Sequence, residues 1–130
     1  MSTATLISSD PTAFLESFFT GMADSAISGT ETETVVDQYH TRDVVEHVDG
    51  RVLDRERLVA HLRPVAKSLT DYRIDVHEAI ADGGRLAARF TIHASIGARA
   101  FSTCVAFFGE FTDDGRLRSS HQFTRDGGDQ

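Results

Sequence analysis

Hydrophobic positions recur at helical spacing in the first half of the chain and alternate with polar positions in the second. Asp10-Pro11 predicts a helix start, with the aspartate as N-cap and the proline at the first helical position, where its missing N–H removes no bond. Phe14, Phe18 and Met22 then share one face, with Leu15 and Phe19 beside them, and the stripe runs to about Ile27. Ser28-Gly29 closes it. Thr30 and Glu33 have capping-box spacing ahead of Val35 and Val36, so a short second helix is expected to deliver the chain into a strand that begins near Tyr39 or Asp43.

The stretch from Tyr39 to Arg51, YHTRDVVEHVDGR, carries Glu46 and His47 on that strand and runs into an Asp49-Gly50 turn. After a brief Arg51-Val52-Leu53 segment, Asp54 reads as another N-cap, and Leu58, Leu62, Val65 and Leu69 follow at helical spacing. Pro64 lies inside this third helix and lacks a backbone donor, which predicts a kink or a break near Arg63. From Tyr72 the period changes to two: Tyr72, Ile74 and Val76 alternate with Arg73, Asp75 and His77. Turn signals at Asp82-Gly83-Gly84, around Gly97 and at Asp113-Asp114-Gly115 separate four strand-like runs, about Asp71–Ala81, Arg85–Ile96, Ala100–Thr112 and Arg116–Arg125. Short connections make these an antiparallel meander, and the tail from Asp126 to Gln130 is expected to fray. The order describes a single α+β domain over residues 1–130, with its core at about 10–125, in which helices cover one face of a sheet that curls around them and encloses a pocket.

Composition narrows the function classes. With 20 acidic against 13 basic residues the formal charge is −7, and no Lys/Arg cluster offsets it, so no nucleic-acid partner is expected. No apolar run approaches the roughly 20 residues of a membrane helix, so no membrane partner is expected either. The segment MSTATLISSD has neither the positive cluster nor the apolar stretch of a signal peptide, and the expected location is the cytoplasm. Cys104 is the single cysteine and sits in an apolar run, where a small buried thiol is the ordinary outcome. The six histidines, His40, His47, His61, His77, His93 and His121, show neither HExxH spacing nor the short pairs of zinc sites, so no metal is expected. Gly-rich phosphate loops and nucleophile elbows are absent, and no cofactor is required.

Alternation leaves the facing of two strands open. On the first strand it groups Val45 and His47 on one side and Val44, Glu46 and Val48 on the other. On the last it groups Leu117, Ser119, His121 and Phe123 against Arg118, Ser120, Gln122 and Thr124. Hydrophobicity alone buries Val44 and Val48 and exposes His47, and it turns His121 inward with Phe123.

The order of elements, together with VVEHVDGR, ERLVAHLRPVAKSL, GGRLAARFTIHA and FTDDGRLRSSHQF, resembles the nuclear-transport-factor-two-like superfamily and within it the SnoaL-like branch, over about Asp10 to Arg125. The resemblance implies a cone of curved, mainly antiparallel sheet around about three helices, a pocket inside, and a homodimer formed through the outer sheet face. Members include cyclases, isomerases, dehydratases, epoxide hydrolases and noncatalytic binding domains. It places His47 where the isomerase branch has its base, and an imidazole near neutral pH can also take a proton. It places Gln122 where the cyclase branch has an acid, or His121 if the register slips by one, and a bulge would reconcile that register with the hydrophobic pattern. His47 and His121 are therefore the catalytic candidates, and Phe14, Phe18, Phe90, Phe107 and Gln122 the ligand-binding ones. Phe18 and Phe107 stand where isomerases keep hydrogen-bond donors, which argues against steroid-type isomerisation. Two readings follow: a cofactor-independent lyase, isomerase or hydrolase acting on a small apolar molecule in the pocket, or a noncatalytic dimeric binding or assembly module.

Overall fold

The helix expected after Asp10 is α1, Pro11–Ile27, in a computed structural model that describes residues 7–127. Residues 1–6 of the N-terminal segment and 128–130 of the tail lie outside the described residues. The Asp10 carboxylate accepts a hydrogen bond from the Ala13 backbone N–H at 3.1 Å, as an N-cap should. α2 is Thr32–Tyr39, and it hands the chain directly to β1, His40–Val48. Asp49 and Gly50 both have positive φ, 51° and 82°, and join β1 to β2, Arg51–Asp54. Val48 pairs with Arg51, so the connection is a two-residue hairpin with the left-handed backbone that Asp-Gly accommodates.

Asp54 caps α3, Arg55–Ser68, by accepting from the Arg57 N–H at 2.9 Å. The break expected near Arg63 does not occur, because α3 continues through Pro64 for a further turn before ending at Ser68. Pro64 is exposed, and the carbonyl that its missing N–H leaves open is within reach of water. The salt bridge of Arg55 with Asp37, at 2.7 and 2.9 Å, ties the start of α3 to α2.

The meander is β3 Leu69–Asp82, β4 Arg85–Ile96, β5 Arg99–Phe111 and β6 Leu117–Asp126, close to the runs expected from sequence. The sheet order is β2-β1-β6-β5-β4-β3, and every neighbouring pair is antiparallel except β1 with β6, which is parallel. Phe18 and Leu15 of α1 pack into a core with Ile74, Leu86, Phe90, Val105, Phe107, Phe111 and Leu117 from the inner face. Alternation follows directly: Leu86, Phe90 and Phe107 are buried, while Phe108 and Ile80 face outward.

One irregularity sets the facing of β6. Phe111 pairs with Leu117 but Glu110 pairs with Ser119, so β6 carries one extra residue, Arg118, as a bulge. Leu117 is therefore buried and Ser120 is buried too, although the two are three residues apart.

Gly84 lies where a side chain would collide with the carbonyl oxygen of Phe111, whose N–H in turn bonds Gly84 O at 2.8 Å. Gly84→Ala is expected to destabilise the fold by about 1–3 kcal/mol, since backbone rather than a mobile side chain must yield. Urea denaturation of the two proteins measures it.

Candidate functional site

Between α1, α3 and the inner face of the sheet lies a cavity of ≈ 330 Å³. Its walls are mostly apolar: Phe18, Phe19 and Met22 from α1, Leu58 and Leu62 from α3, and Ile92 from β4. Set into them are His40, Glu46, Gln122 and Tyr72, with Arg51 and His61, both exposed, at the margin. Glu46 and His40 are buried, with 6% and 3% of their surface exposed, which is the condition under which polar groups must be paired.

They are paired. Glu46 Oε1 accepts from Ser120 Oγ at 2.9 Å and from Gln122 Nε2 at 2.8 Å. His40 Nδ1 lies 2.9 Å from the Val36 carbonyl oxygen, an acceptor only, so Nδ1 carries hydrogen. That leaves His40 Nε2 facing Glu46 Oε2 at 3.6 Å. Were Nε2 unprotonated and Glu46 ionised, a lone pair would confront a carboxylate oxygen. One proton on the pair, on Nε2 or on Oε2, removes the repulsion. A carboxyl and an imidazole thus face each other on the wall of an apolar chamber, the side-chain types that acid–base chemistry uses.

His47 stands on the opposite face. Its ring stacks on His121 with centroids 4.4 Å apart and planes 4° from parallel, and the two residues are register partners in the β1–β6 pair. Neither lines the cavity. His121 instead borders a more open depression of ≈ 570 Å³ on the outer face, with Ile80 and Phe108. The expectation that these histidines wall the pocket is thus corrected. On β1 hydrophobic alternation prevails, so Val44 and Val48 turn inward and carry Glu46 with them. On β6 the Arg118 bulge reverses the phase after Leu117, so Gln122 turns inward as the resemblance implied and His121 turns out.

Among the aromatic candidates Phe18 lines the cavity. Phe14, Phe90 and Phe107 are core instead: Phe14 packs edge-on against Phe111 with centroids 4.9 Å apart, and Phe90 and Phe107 are 1% and 0% exposed behind the wall. Glu46 and His40 were missed as site residues. The signal for Glu46 was present, since the valines on either side of it mark the buried face, but for His40 there was none. Among the described residues no group of three metal-type ligands forms.

With this geometry in view, a model of the SnoaL-like domain matches residues 19–120. The chain belongs to the SnoaL-like domain family. No curated protein matches its sequence. Solved structures share the fold: an epoxide hydrolase of M. tuberculosis described as LEH-like is 20% identical with a TM-score of 0.62, covering 88% of this chain and 85% of its own. The BvnE pinacolase of Penicillium brevicompactum is 14% identical with a TM-score of 0.61, over 77% and 75%. A protein of ketosteroid-isomerase-like fold from Catenulispora acidiphila, solved with trimethylamine, is 14% identical with a TM-score of 0.56, over 81% and 82%. These solved structures show the fold, and the epoxide hydrolase and the pinacolase carry different chemistries on it.

Tyr72 on β3 is a further polar group of the cavity, and burial raises its phenol above the ordinary value of 10.0. In a Tyr39→Phe variant, where Tyr72 is the sole tyrosine, phenolate absorbance is expected to develop only above the pH at which free tyrosine ionises. Because the folded state holds this proton longer than the unfolded one, stability falls as pH rises past about 10. A spectrophotometric titration followed by unfolding at each pH tests both.

Proposed function

We propose that this SnoaL-like chain, read as one domain over residues 1–130, holds a small apolar molecule in the inner cavity. It acts on that molecule by cofactor-independent proton transfer, in the manner of a lyase, isomerase or hydrolase. Glu46 and His40 are the acid–base pair, and Gln122 and Ser120 hold the carboxylate in place. The observation that supports it is the buried carboxylate paired to a buried imidazole on an otherwise apolar wall. Enclosing an apolar ligand does not itself require these groups, and desolvating them is costly. Carboxyl and imidazole side chains positioned at a pocket are the groups that general acid–base catalysis draws on.

Glu46→Gln keeps the size of the side chain and one acceptor oxygen but removes its ability to carry a proton. Wild-type turnover is sought across a panel of epoxides, lactones and enolisable ketones. The substitution is expected to lower whichever activity is found by at least about 100-fold. Full activity in the variant, with its fold intact by circular dichroism, would assign the reaction elsewhere. Binding without turnover in the wild type would favour the noncatalytic module, the reading supported by Phe18 and Phe107 at positions where isomerases keep donors.

The partner expected on the outer face is a second copy of the chain. Val52, His47, His121, Phe108, Ala87 and Ile80 are successive register partners, one from each of the six strands, and form a row without a formal charge when the imidazoles are neutral. Ile80 is 72%, Phe108 58% and the adjoining Phe123 64% exposed, an apolar stripe of the kind that marks an interaction surface. Phe108→Lys is expected to convert a dimer to a monomer in light scattering while leaving the melting temperature of the protomer nearly unchanged. A wild type that is already monomeric at high concentration would refute the pairing. The cytoplasm remains the proposed location.

A further inference from the structure

The donors that surround Glu46 on the cavity wall are engaged. Gln122 Nε2 donates to Glu46 and to Ser120 Oγ at 3.1 Å, and Ser120 Oγ donates to Glu46. His40 Nδ1 donates to Val36, and any proton on Nε2 faces Glu46. Tyr72 differs. Its ring lines the cavity, and among the described residues its hydroxyl has no hydrogen-bond partner. Among those residues no fully enclosed side-chain oxygen lacks a partner, so this hydroxyl is not fully enclosed, and Tyr72 borders the cavity. An empty cavity can supply water to it. An apolar ligand that filled the cavity would displace that water and leave the phenol unsatisfied, unless the ligand brought an acceptor.

The positions of the strands add a direction. β3, which carries Tyr72, ends the sheet order β2-β1-β6-β5-β4-β3, while Glu46 and His40 sit on β1 near the other end. The donor and the acid–base pair therefore occupy different walls of one chamber. A ligand that meets both carries an acceptor atom at one end and its reacting centre at the other. The acceptor that suits it is a neutral oxygen: a buried phenol that resists ionisation is a donor without positive charge, and Arg51, the cation among the lining residues, stands exposed at the margin.

We propose that Tyr72 is the specificity-determining donor of the cavity, and that the ligand is an apolar molecule bearing a neutral acceptor oxygen, such as a ketone or lactone carbonyl, which Tyr72 binds. This rests on the reading of the cavity as a site for small apolar molecules. It adds the functional group that such a molecule must present and the wall it presents it to.

The test uses 2-tetralone and tetralin, which share a skeleton and differ by the carbonyl, with dissociation constants measured for the full chain and for Tyr72→Phe. The expected result is a wild-type preference for the ketone that falls about tenfold in the variant, the loss of one buried hydrogen bond, with tetralin affinity unchanged within about twofold. Tetralin serves as the control for folding and cavity shape, because a merely structural role for the hydroxyl would change both affinities together. An unchanged ketone-to-hydrocarbon ratio in Tyr72→Phe would overturn the assignment of Tyr72 and leave the apolar cavity standing. Failure of both compounds to bind the wild type would overturn the cavity reading, and this inference with it.

Discussion

A carboxylate taken out of water must be met by donors, and the way Glu46 is met fixes how the two ends of the chain join. Its partners Ser120 and Gln122 come from β6, and among the described residues the β1–β6 pairing is the only parallel one in the sheet. Glu46 stands opposite Ser120, and Val48 opposite Gln122. A register slipped by one residue would send Ser120 and Gln122 to the outer face and leave the charge unsatisfied, a penalty of several kcal/mol. Just beyond, Asp49 extends the same seam, accepting from the Thr124 backbone N–H at 2.8 Å and from its hydroxyl, while its own N–H bonds Gln122 O at 3.0 Å. The hydroxyl and N–H of Thr124 hold the Asp49 carboxyl below its usual range. The candidate site and the closure of the sheet are thus one set of bonds.

How much of this is legible in the sequence depends on the scale of the signal. Helix caps at Asp10 and Asp54, the Asp49-Gly50 hairpin and the four alternating strands are local patterns, and local chemistry decides them. The side of a strand that faces inward is decided by its neighbours instead. On β1 the two valines flanking Glu46 carried the answer, but the expectation of a pocket base at His47 pulled against them. On β6 no composition marks Arg118 as the bulged residue, since an exposed arginine suits a regular strand equally well. His40 was illegible for another reason: it meets Glu46 only because α2 ends at Tyr39 and the chain turns at once into β1, placing the imidazole over the Val36 carbonyl.

The outer face explains why histidines are a poor guide here. His93 is held between Ser102 at 2.8 Å and Asp75 at 3.0 Å, a row running across β5, β4 and β3. His77 bonds Thr91 at 2.8 Å, and Thr91 in turn contacts Cys104 at 3.7 Å. These are cross-strand polar ladders, in which each imidazole is satisfied by its neighbours on a pleated surface. The Ser102, His93 and Asp75 row has the composition of a nucleophilic triad, but it lies on the outer face of the sheet, and none of the three lines the cavity that Glu46 and His40 border. Where the ladders stop, the row through His47, His121 and Phe108 begins, and the face changes from self-satisfied polar to apolar.

The bulge at Arg118 divides these two worlds. Upstream of it Leu117 belongs to the core, and downstream of it Ser120 and Gln122 belong to the site. Without the extra residue, strict alternation from Leu117 would carry His121 and Phe123 into the interior and put Ser120 and Gln122 in solvent. Phe123 would then crowd a wall already filled by the core rings, and Glu46 would face apolar neighbours with His40 as its sole partner. One unpaired backbone position is a small disturbance to the ladder beside a buried charge stripped of two donors. The strand therefore keeps its irregularity, and the irregularity places the polar groups inside and the aromatic stripe outside.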